Sequence, residues 1–379
     1  MLNITAEVPS KPEYLVVGSG LTGATIARLL VDAGKKVVVV DRRDHVGGNV
    51  YDHLHSSGIR IHTYGPHYFR TSSEILWKFV NRFSDFYPYE VCLKSQVDGK
   101  LENWPISGSY IRREVGMNWQ PEFKGGASNF EEACLSKMPR LIYEKFVKGY
   151  TEKQWGVPAT QLSASLARRF DVREDDEPRL TRHKYQVLPC KGYAFLMQSM
   201  LAGIPTLLGV DYARNKNLFR PTHLTVFTGP IDEFFDHKLG RLAYRGQKRE
   251  EVYLPKLACY QTVGQVNNPS PLSGAHIRTL EWKHMMRTED LPPIKGTVIT
   301  RETATTPSAP SDCEYPFPDD ANQQLFSQYQ QLARQDANLV VCGRLGEYRY
   351  FDMDQAIARA MLIAQKILVG TSSKEVVGD

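Results

Sequence analysis

The chain has 379 residues, 42% hydrophobic and 23% charged, enough for two or three domains with a buried core and unlike a disordered chain. Lysine and arginine outnumber aspartate and glutamate by 47 to 42, and this excess is spread out, which excludes a nucleic-acid surface and leaves a mild attraction for small anions. No apolar run approaches the roughly 20 residues of a membrane span, residues 1–13 lack a signal-peptide pattern, and the six cysteines are scattered without metal-binding spacing. A cytoplasmic protein with reduced thiols, no metal and no membrane partner is expected.

The first element is Tyr14-Leu-Val-Val-Gly-Ser-Gly-Leu-Thr-Gly23, followed by a helical run and then Val37-Val-Val-Val-Asp41. A strand, a glycine turn, a helix and a second strand ending in an acid form a dinucleotide-binding unit. Gly18 makes the tight turn, Gly20 lets the backbone approach a pyrophosphate at the helix N-terminus, and Gly23 lets the helix lie close on the sheet. Asp41 is placed for a ribose hydroxyl. A second glycine pair, Gly47 and Gly48 before Asn49, lets more backbone crowd a cofactor.

Beyond this unit, residues 91–101 alternate around an Asp98-Gly99 turn, a hairpin signal. Residues 130–147 carry helical spacing of apolar side chains, which predicts a helical insertion. Residues 168–184 are crowded with charge and read as an exposed, mobile loop. A helical pattern resumes at Lys191, and Leu224-Thr-Val-Phe-Thr-Gly229 reads as a core strand returning to the nucleotide unit. A strand-rich block to about residue 303 and a Pro/Ser-rich connector at 306–312 precede the last unit, with a strand at 338–343, an amphipathic helix over 354–369 and a polar tail. A second strand-glycine-acid-helix element suits a flavoprotein, the helix N-terminus after Asp352 facing the flavin, and equally suits one more sheet crossover.

Five strings carry a more specific signal: Asp41-Arg-Arg-Asp-His-Val-Gly-Gly-Asn49, Tyr64-Gly-Pro-His67, Lys148-Gly-Tyr-Thr-Glu-Lys-Gln-Trp-Gly156, Thr228-Gly-Pro-Ile-Asp232 and Gly343-Arg-Leu-Gly-Glu-Tyr-Arg-Tyr-Phe-Asp-Met353. In order and over most of the chain they resemble the prokaryotic UDP-galactopyranose mutase family. The resemblance implies an α/β fold: an FAD-binding, doubly wound (Rossmann-like) domain from residues 1–86, 195–250 and 330–379, a helical domain at 105–165, and an antiparallel sheet or substrate domain from 87–104, 170–194 and 251–329. It implies FAD, active when reduced, whose N5 atom attacks the anomeric carbon of a nucleotide sugar so that the pyranose recloses as a furanose. An external reductant and a homodimer are implied as partners.

Site residues follow from the same resemblance. Arg173 matches an arginine that swings over the diphosphate, although alone it reads as a solvated loop charge, and Arg278 matches a second arginine near the substrate. Tyr185, Tyr315 and Tyr350 match tyrosines contacting phosphates. Phe146 and Tyr150 are placed for the uracil, with Trp155 close by. His67, Arg344, Asp352 and Met353 are flavin-side residues. Three positions depart from the pattern: Arg70 stands where a histidine is usual and resembles variants that accept an N-acetylated sugar, Val91 replaces a sugar-contacting asparagine, and Thr305 falls near the place of a further diphosphate arginine. The expected activity is UDP-galactopyranose to UDP-galactofuranose isomerisation, serving cell-surface polysaccharide assembly, with UDP-N-acetylgalactosamine or a deoxy sugar nucleotide as alternatives. An FAD oxidoreductase of amine-oxidase architecture and a non-catalytic nucleotide-sugar binder are the readings of other classes.

Overall fold

Four consecutive valines, Val37–Val40, are buried on both faces, as a strand inside a parallel sheet covered by helices must be. In the computed structural model, which describes residues 11–170, 172–291, 294–371 and 376, that strand lies in a five-stranded parallel sheet. The order is Thr206–Leu207, Val37–Val40, Tyr14–Val17, Leu224–Phe227, Leu339–Val341. Alternation along the strands sorts their side chains into two cores. Tyr14, Val16, Val37 and Val39 meet the helices Leu21–Asp32 and Met353–Leu368 through Ile26, Leu30, Ile357 and Ile363. Leu15, Val17, Val38 and Val40 meet Tyr212, Ile231 and Tyr329 on the other face. The sheet is therefore doubly wound. Gly23 sets how closely the first helix lies, because a Cβ there would stand 1.9 Å from the Gly18 carbonyl oxygen.

The second sheet has seven strands in the order Tyr315–Pro316, Tyr244–Leu254, Thr297–Thr305, Arg278–Glu281, Gln265–Asn267, Leu93–Val97, Lys100–Trp104. It is not wholly antiparallel, since Gln265–Asn267 runs parallel to Leu93–Val97. Nor does Tyr244–Leu254 belong with the nucleotide unit, where the sequence reading put residues up to 250. It pairs end to end with Thr297–Thr305, from Gly246 opposite Thr305 to Leu254 opposite Thr297. Its run of charged residues hides a strand that opposite-charge pairs support, with Arg249 facing Glu302 and Glu250 facing Arg301. The expected hairpin is present, and Asp98 and Gly99 (φ 49° and 76°) form the two-residue turn that right-twisted strands favour.

The helical insertion packs around Phe130, Tyr143 and Phe146. The continuous helical pattern of residues 130–147 is broken in the structure. Phe130–Leu135 ends before Pro139, which disfavours helical geometry at the residue before it. A second helix then runs through a π-helical segment, Tyr143–Lys148, into Gly149–Trp155. Such wider turns re-aim side chains and recur at functional sites. A three-stranded sheet joins Phe69–Thr71, Tyr185–Pro189 and Phe86–Pro88. Residues 168–184 are irregular but pinned: the Gly108 N–H donates to the Asp175 carbonyl at 2.9 Å, and the Leu180 N–H to the Val91 carbonyl at 2.7 Å. Asp171 within that stretch, and most of the predicted polar tail, lie outside the described residues. Among the described residues no helix is long and apolar enough to cross a membrane.

Candidate active site

The nucleotide-binding end is built from backbone. Gly18 has φ +103°, and Gly20 caps the helix Leu21–Asp32 without any side-chain hydrogen bond, so the first-turn N–H groups keep their donors for an anion. Gly48 closes the cradle, because a Cβ there would sit 3.0 Å from the Gly20 Cα. Gly47 pairs with Gly20 in an isolated bridge. The buried Asp41 carboxylate accepts from the Ser19 N–H at 2.7 Å, the Ser19 hydroxyl at 2.6 Å and the Arg43 N–H at 3.0 Å. A carboxylate has about four acceptor directions, so one remains for a hydroxyl. Asn49 Oδ1 accepts from the Arg43 guanidinium at 2.8 Å.

Beside this cradle opens a cleft of about 870 Å³. Asn49, His67, Arg70 and Arg278 line it from the two sheet regions, and Phe146, Tyr150 and Trp155 from the helical insertion. Tyr315, Arg344, Tyr350, Asp352 and Met353 complete the wall. Tyr315 and Tyr350 lie nearly parallel with centroids 6.2 Å apart, and the Arg344 guanidinium stands 4.8 Å from the Tyr350 ring while donating to the Phe351 carbonyl at 2.7 Å. Phe146 is held between Trp104 and Tyr110 with centroids at 6.5 and 5.0 Å. Asp352 begins the helix Met353–Leu368 with a capping box. Its carboxylate also accepts from Arg70 and from the Tyr350 hydroxyl, each at 3.0 Å.

The electrostatics are set by burial and by pairing. Burial, reinforced by His62 and Arg344, lowers the His67 pKa to about 3, so its imidazole is neutral at physiological pH. Its Nδ1 lies 2.8 Å from the Gly65 carbonyl, which fixes the proton there and leaves Nε2 an acceptor. Arg278 donates to Glu302, which also takes Arg249 at 3.0 Å, and Arg249 in turn reaches Glu314 at 2.8 Å. Burial alone raises the Glu302 carboxyl, but the two arginines outweigh it and hold its pKa below the ordinary carboxylate value. Burial pushes the Tyr315 hydroxyl up to about 12, so it remains a donor.

Four predicted residues are not brought to the cleft, and the reasons are local. Tyr185 stacks on Trp77 with centroids 4.5 Å apart and donates its hydroxyl to Glu74 at 2.9 Å. Val91 is buried under the loop, its carbonyl taken by Leu180. Arg173 is 7% exposed, and its guanidinium donates to the carbonyls of Glu177, Arg179 and Leu180 at 2.8, 2.7 and 3.3 Å. Thr305 pairs with Gly246 at the end of its strand. In turn the sequence reading missed Arg169, whose guanidinium stands 4.1 Å from the Tyr350 ring, and the buried chain Arg249, Glu302, Glu314. Arg169 sits in a charge-crowded run that reads as solvated loop, and the Arg249–Glu302 pair emerges only when strand register is known. Away from the cleft, Cys259, Glu281 and His284 gather within 4.8 Å of one another, a grouping that scattered cysteines do not announce. The Glu281 oxygens are already taken by the N–H groups of Tyr260 and Gln261 and by the Thr297 hydroxyl.

The parallel sheet with its glycine cradle thus opens onto an arginine- and tyrosine-lined cleft, the layout of a nucleotide-binding α/β protein. The chain belongs to the UDP-galactopyranose mutase family, and so to the isomerases: the family profile matches residues 145–350, and a profile of an NAD(P)-binding Rossmann-like domain matches residues 16–83. It is 32% identical to a probable UDP-galactopyranose mutase of Klebsiella pneumoniae, over 95% of this chain and 96% of that one. Identity to a dTDP-fucopyranose mutase of Escherichia coli is also 32%, over 93% and 97%. A crystal structure of reduced UDP-galactopyranose mutase superposes with a TM-score of 0.76 at 15% identity, covering 97% of this chain and 96% of that one.

Proposed function

We propose that this protein interconverts the pyranose and furanose forms of a nucleotide sugar, UDP-galactopyranose being the default substrate, with FAD held in the cradle of Gly18, Gly20, Gly48 and Asp41. The observation that carries the proposal is the junction of that cradle with the arginine- and tyrosine-lined cleft. Reduced flavin, when bound, supplies the nucleophile for the anomeric carbon, and no net oxidation results. This chain's own residues then have defined tasks. Phe146, backed by Trp104, offers an apolar face to the base, with Tyr150 and Trp155 beside it. Arg278, pre-positioned by Glu302, and the Tyr315 hydroxyl stabilise the departing diphosphate, where fixed cations count for more than in water, and Tyr350 joins them by giving up its hydrogen bond to Asp352. Neutral His67 and the Arg70–Asp352 pair form the wall between cradle and cleft.

The choice of sugar has a rival. Equal similarity to a dTDP-fucopyranose mutase favours a deoxy sugar nucleotide as the second reading. The test is redox balance. Dithionite-reduced protein, kept anaerobic, should convert UDP-galactopyranose or dTDP-fucopyranose to its furanose isomer while its flavin spectrum is unchanged, and oxidised protein should not. Stoichiometric oxygen uptake with substrate in air, without an isomer, would instead place the chain with the amine-oxidase-like oxidoreductases. An external reductant and a homodimer belong to the same proposal, the latter checked by sedimentation.

A further inference from the structure

Away from the cleft, the far end of the strand that carries Arg278 gathers three side chains able to ligate a metal. Glu281 closes that strand and is buried, and His284 follows in the 3₁₀ turn Trp282–Met285. Cys259 comes from the connection between the strands Tyr244–Leu254 and Gln265–Asn267, and it is exposed. One ligand atom of each lies within 4.8 Å of the other two. The Glu281 carboxylate is fixed from behind: Oε1 accepts from the Tyr260 N–H at 2.8 Å and the Thr297 hydroxyl at 2.7 Å, and Oε2 accepts from the Gln261 N–H at 2.7 Å. Three of about four acceptor directions are thus used, and His284 Nε2 stands 3.3 Å from Oε2. Two ligands of one tetrahedral zinc are separated by about 3.3 Å when each bond is about 2.0 Å long. Among the described residues His284 is the only ionic partner of this buried carboxylate. The adjacent Lys283 ammonium is held by the carbonyls of Ala258, Ile294 and Gly296 at 3.1, 3.0 and 3.2 Å.

We propose that Cys259, Glu281 and His284 bind a divalent transition-metal ion, zinc being the one that their sulfur, oxygen and nitrogen donors suit best. The N–H groups and the hydroxyl behind the carboxylate are the outer support that such ligands need. Exposure of Cys259 gives the ion an entry path and leaves its fourth position to water. Binding exchanges two protons for the metal: the thiol proton, and the Nε2 proton that His284 donates to the Gln261 carbonyl at 2.8 Å. The ion staples the connection 255–264 to the strand that ends in Glu281, and so braces the strand that presents Arg278 to the cleft. Cysteine spacing, which leads to the expectation of no metal, does not register this site. Pairing of Gln265–Asn267 with Arg278–Glu281, not nearness in sequence, brings Cys259 to Glu281.

The test is independent of the nucleotide-sugar reading. Flavin-loaded protein, stripped with a chelator, is incubated with excess zinc chloride, gel-filtered and assayed for metal by atomic emission. The parent is expected to retain about one zinc per chain, and Cys259→Ser and His284→Asn less than about a fifth of that, with flavin content and circular dichroism unchanged. Zinc should also slow alkylation of Cys259 by iodoacetamide about tenfold or more, read by peptide mass spectrometry with Cys92 and Cys190 as internal controls. Retention by the parent below about 0.2 zinc per chain would overturn the proposal. Equal retention by Cys259→Ser would do the same, since the zinc then sits elsewhere, as would alkylation of Cys259 at one rate with and without zinc. If His284→Asn loses its flavin, Cys259→Ser, altered at an exposed side chain, decides alone.

Discussion

The cofactor cradle and the substrate cleft lie side by side but are made in different ways. The cradle is local and made of backbone: between residues 14 and 49 the chain provides the turn, the helix N-terminus, the acid and the second glycine pair, and little depends on distant partners. The cleft is assembled from side chains of at least six separated segments, and its charges are held by other charges. Arg278 depends on Glu302, Glu302 on Arg249, and Arg249 on Glu314. Backbone geometry tolerates side-chain change but not added volume. A charge network tolerates volume but not loss of a member.

The largest expected effect breaks the network side. Glu302→Gln leaves Arg249 and Arg278 buried with one anion fewer, and a global destabilisation of about 3 to 5 kcal/mol is expected in chemical denaturation, together with weaker UDP binding. Because the folded Glu302 pKa lies below its ordinary value, its contribution is present above about pH 4.5 and lost as pH falls through the folded value, so the variant's deficit should shrink in acid.

Next is the cradle. Gly23→Ala puts a Cβ 1.9 Å from the Gly18 oxygen, so helix and strand must part. A loss of about 3 kcal/mol is expected, with flavin content, read as absorbance per chain, falling well below the parent's while uridine binding persists. Loss of both together would show that the two regions are not separable.

A smaller effect links them through pH. His67 is neutral in the fold with a pKa of about 3 against an ordinary 6.5, so the unfolded chain binds the extra proton. Its contribution is complete above pH 6.5 and declines as pH falls, by about 2 kcal/mol at pH 5. Denaturation curves of His67→Asn should show a shallower acid decline between pH 6.5 and 5. The smallest effect concerns selectivity. Arg70→His removes the partner of Asp352 without emptying the site, and relative rates across sugar nucleotides should change by about tenfold with stability nearly unchanged. An unchanged ranking would remove Arg70 from sugar recognition.

How much of this the sequence discloses follows the same division. The cradle is legible because its glycines, valines and acid lie at fixed short spacings that one local geometry explains. Gly18 and Asp41 stand where that geometry requires them. The cleft is legible only through motif resemblance, which picks out positions along the chain but not where their side chains turn. Arg173 occupies the matching place, yet carbonyls of its own loop hold it out of the cleft, while Arg169, four residues earlier, faces the tyrosines. Tyr185 likewise turns to Glu74 and Trp77. The strand Tyr244–Leu254 escapes pattern reading because its partner strand, not an apolar face, supplies its stability. The helical reading of residues 130–147 runs through Pro139, which breaks the helix after Leu135, and the π segment that carries Phe146 has no composition cue.

The most direct test of the account is a product analysis of dithionite-reduced protein incubated anaerobically with UDP-galactopyranose, UDP-N-acetylgalactosamine and dTDP-fucopyranose in separate reactions. The account predicts that at least one is converted to a furanose isomer by reduced protein and by none of the oxidised controls, with the nucleotide diphosphate recovered on the product. Absence of any furanose from all three, with flavin bound and UDP bound, would contradict it.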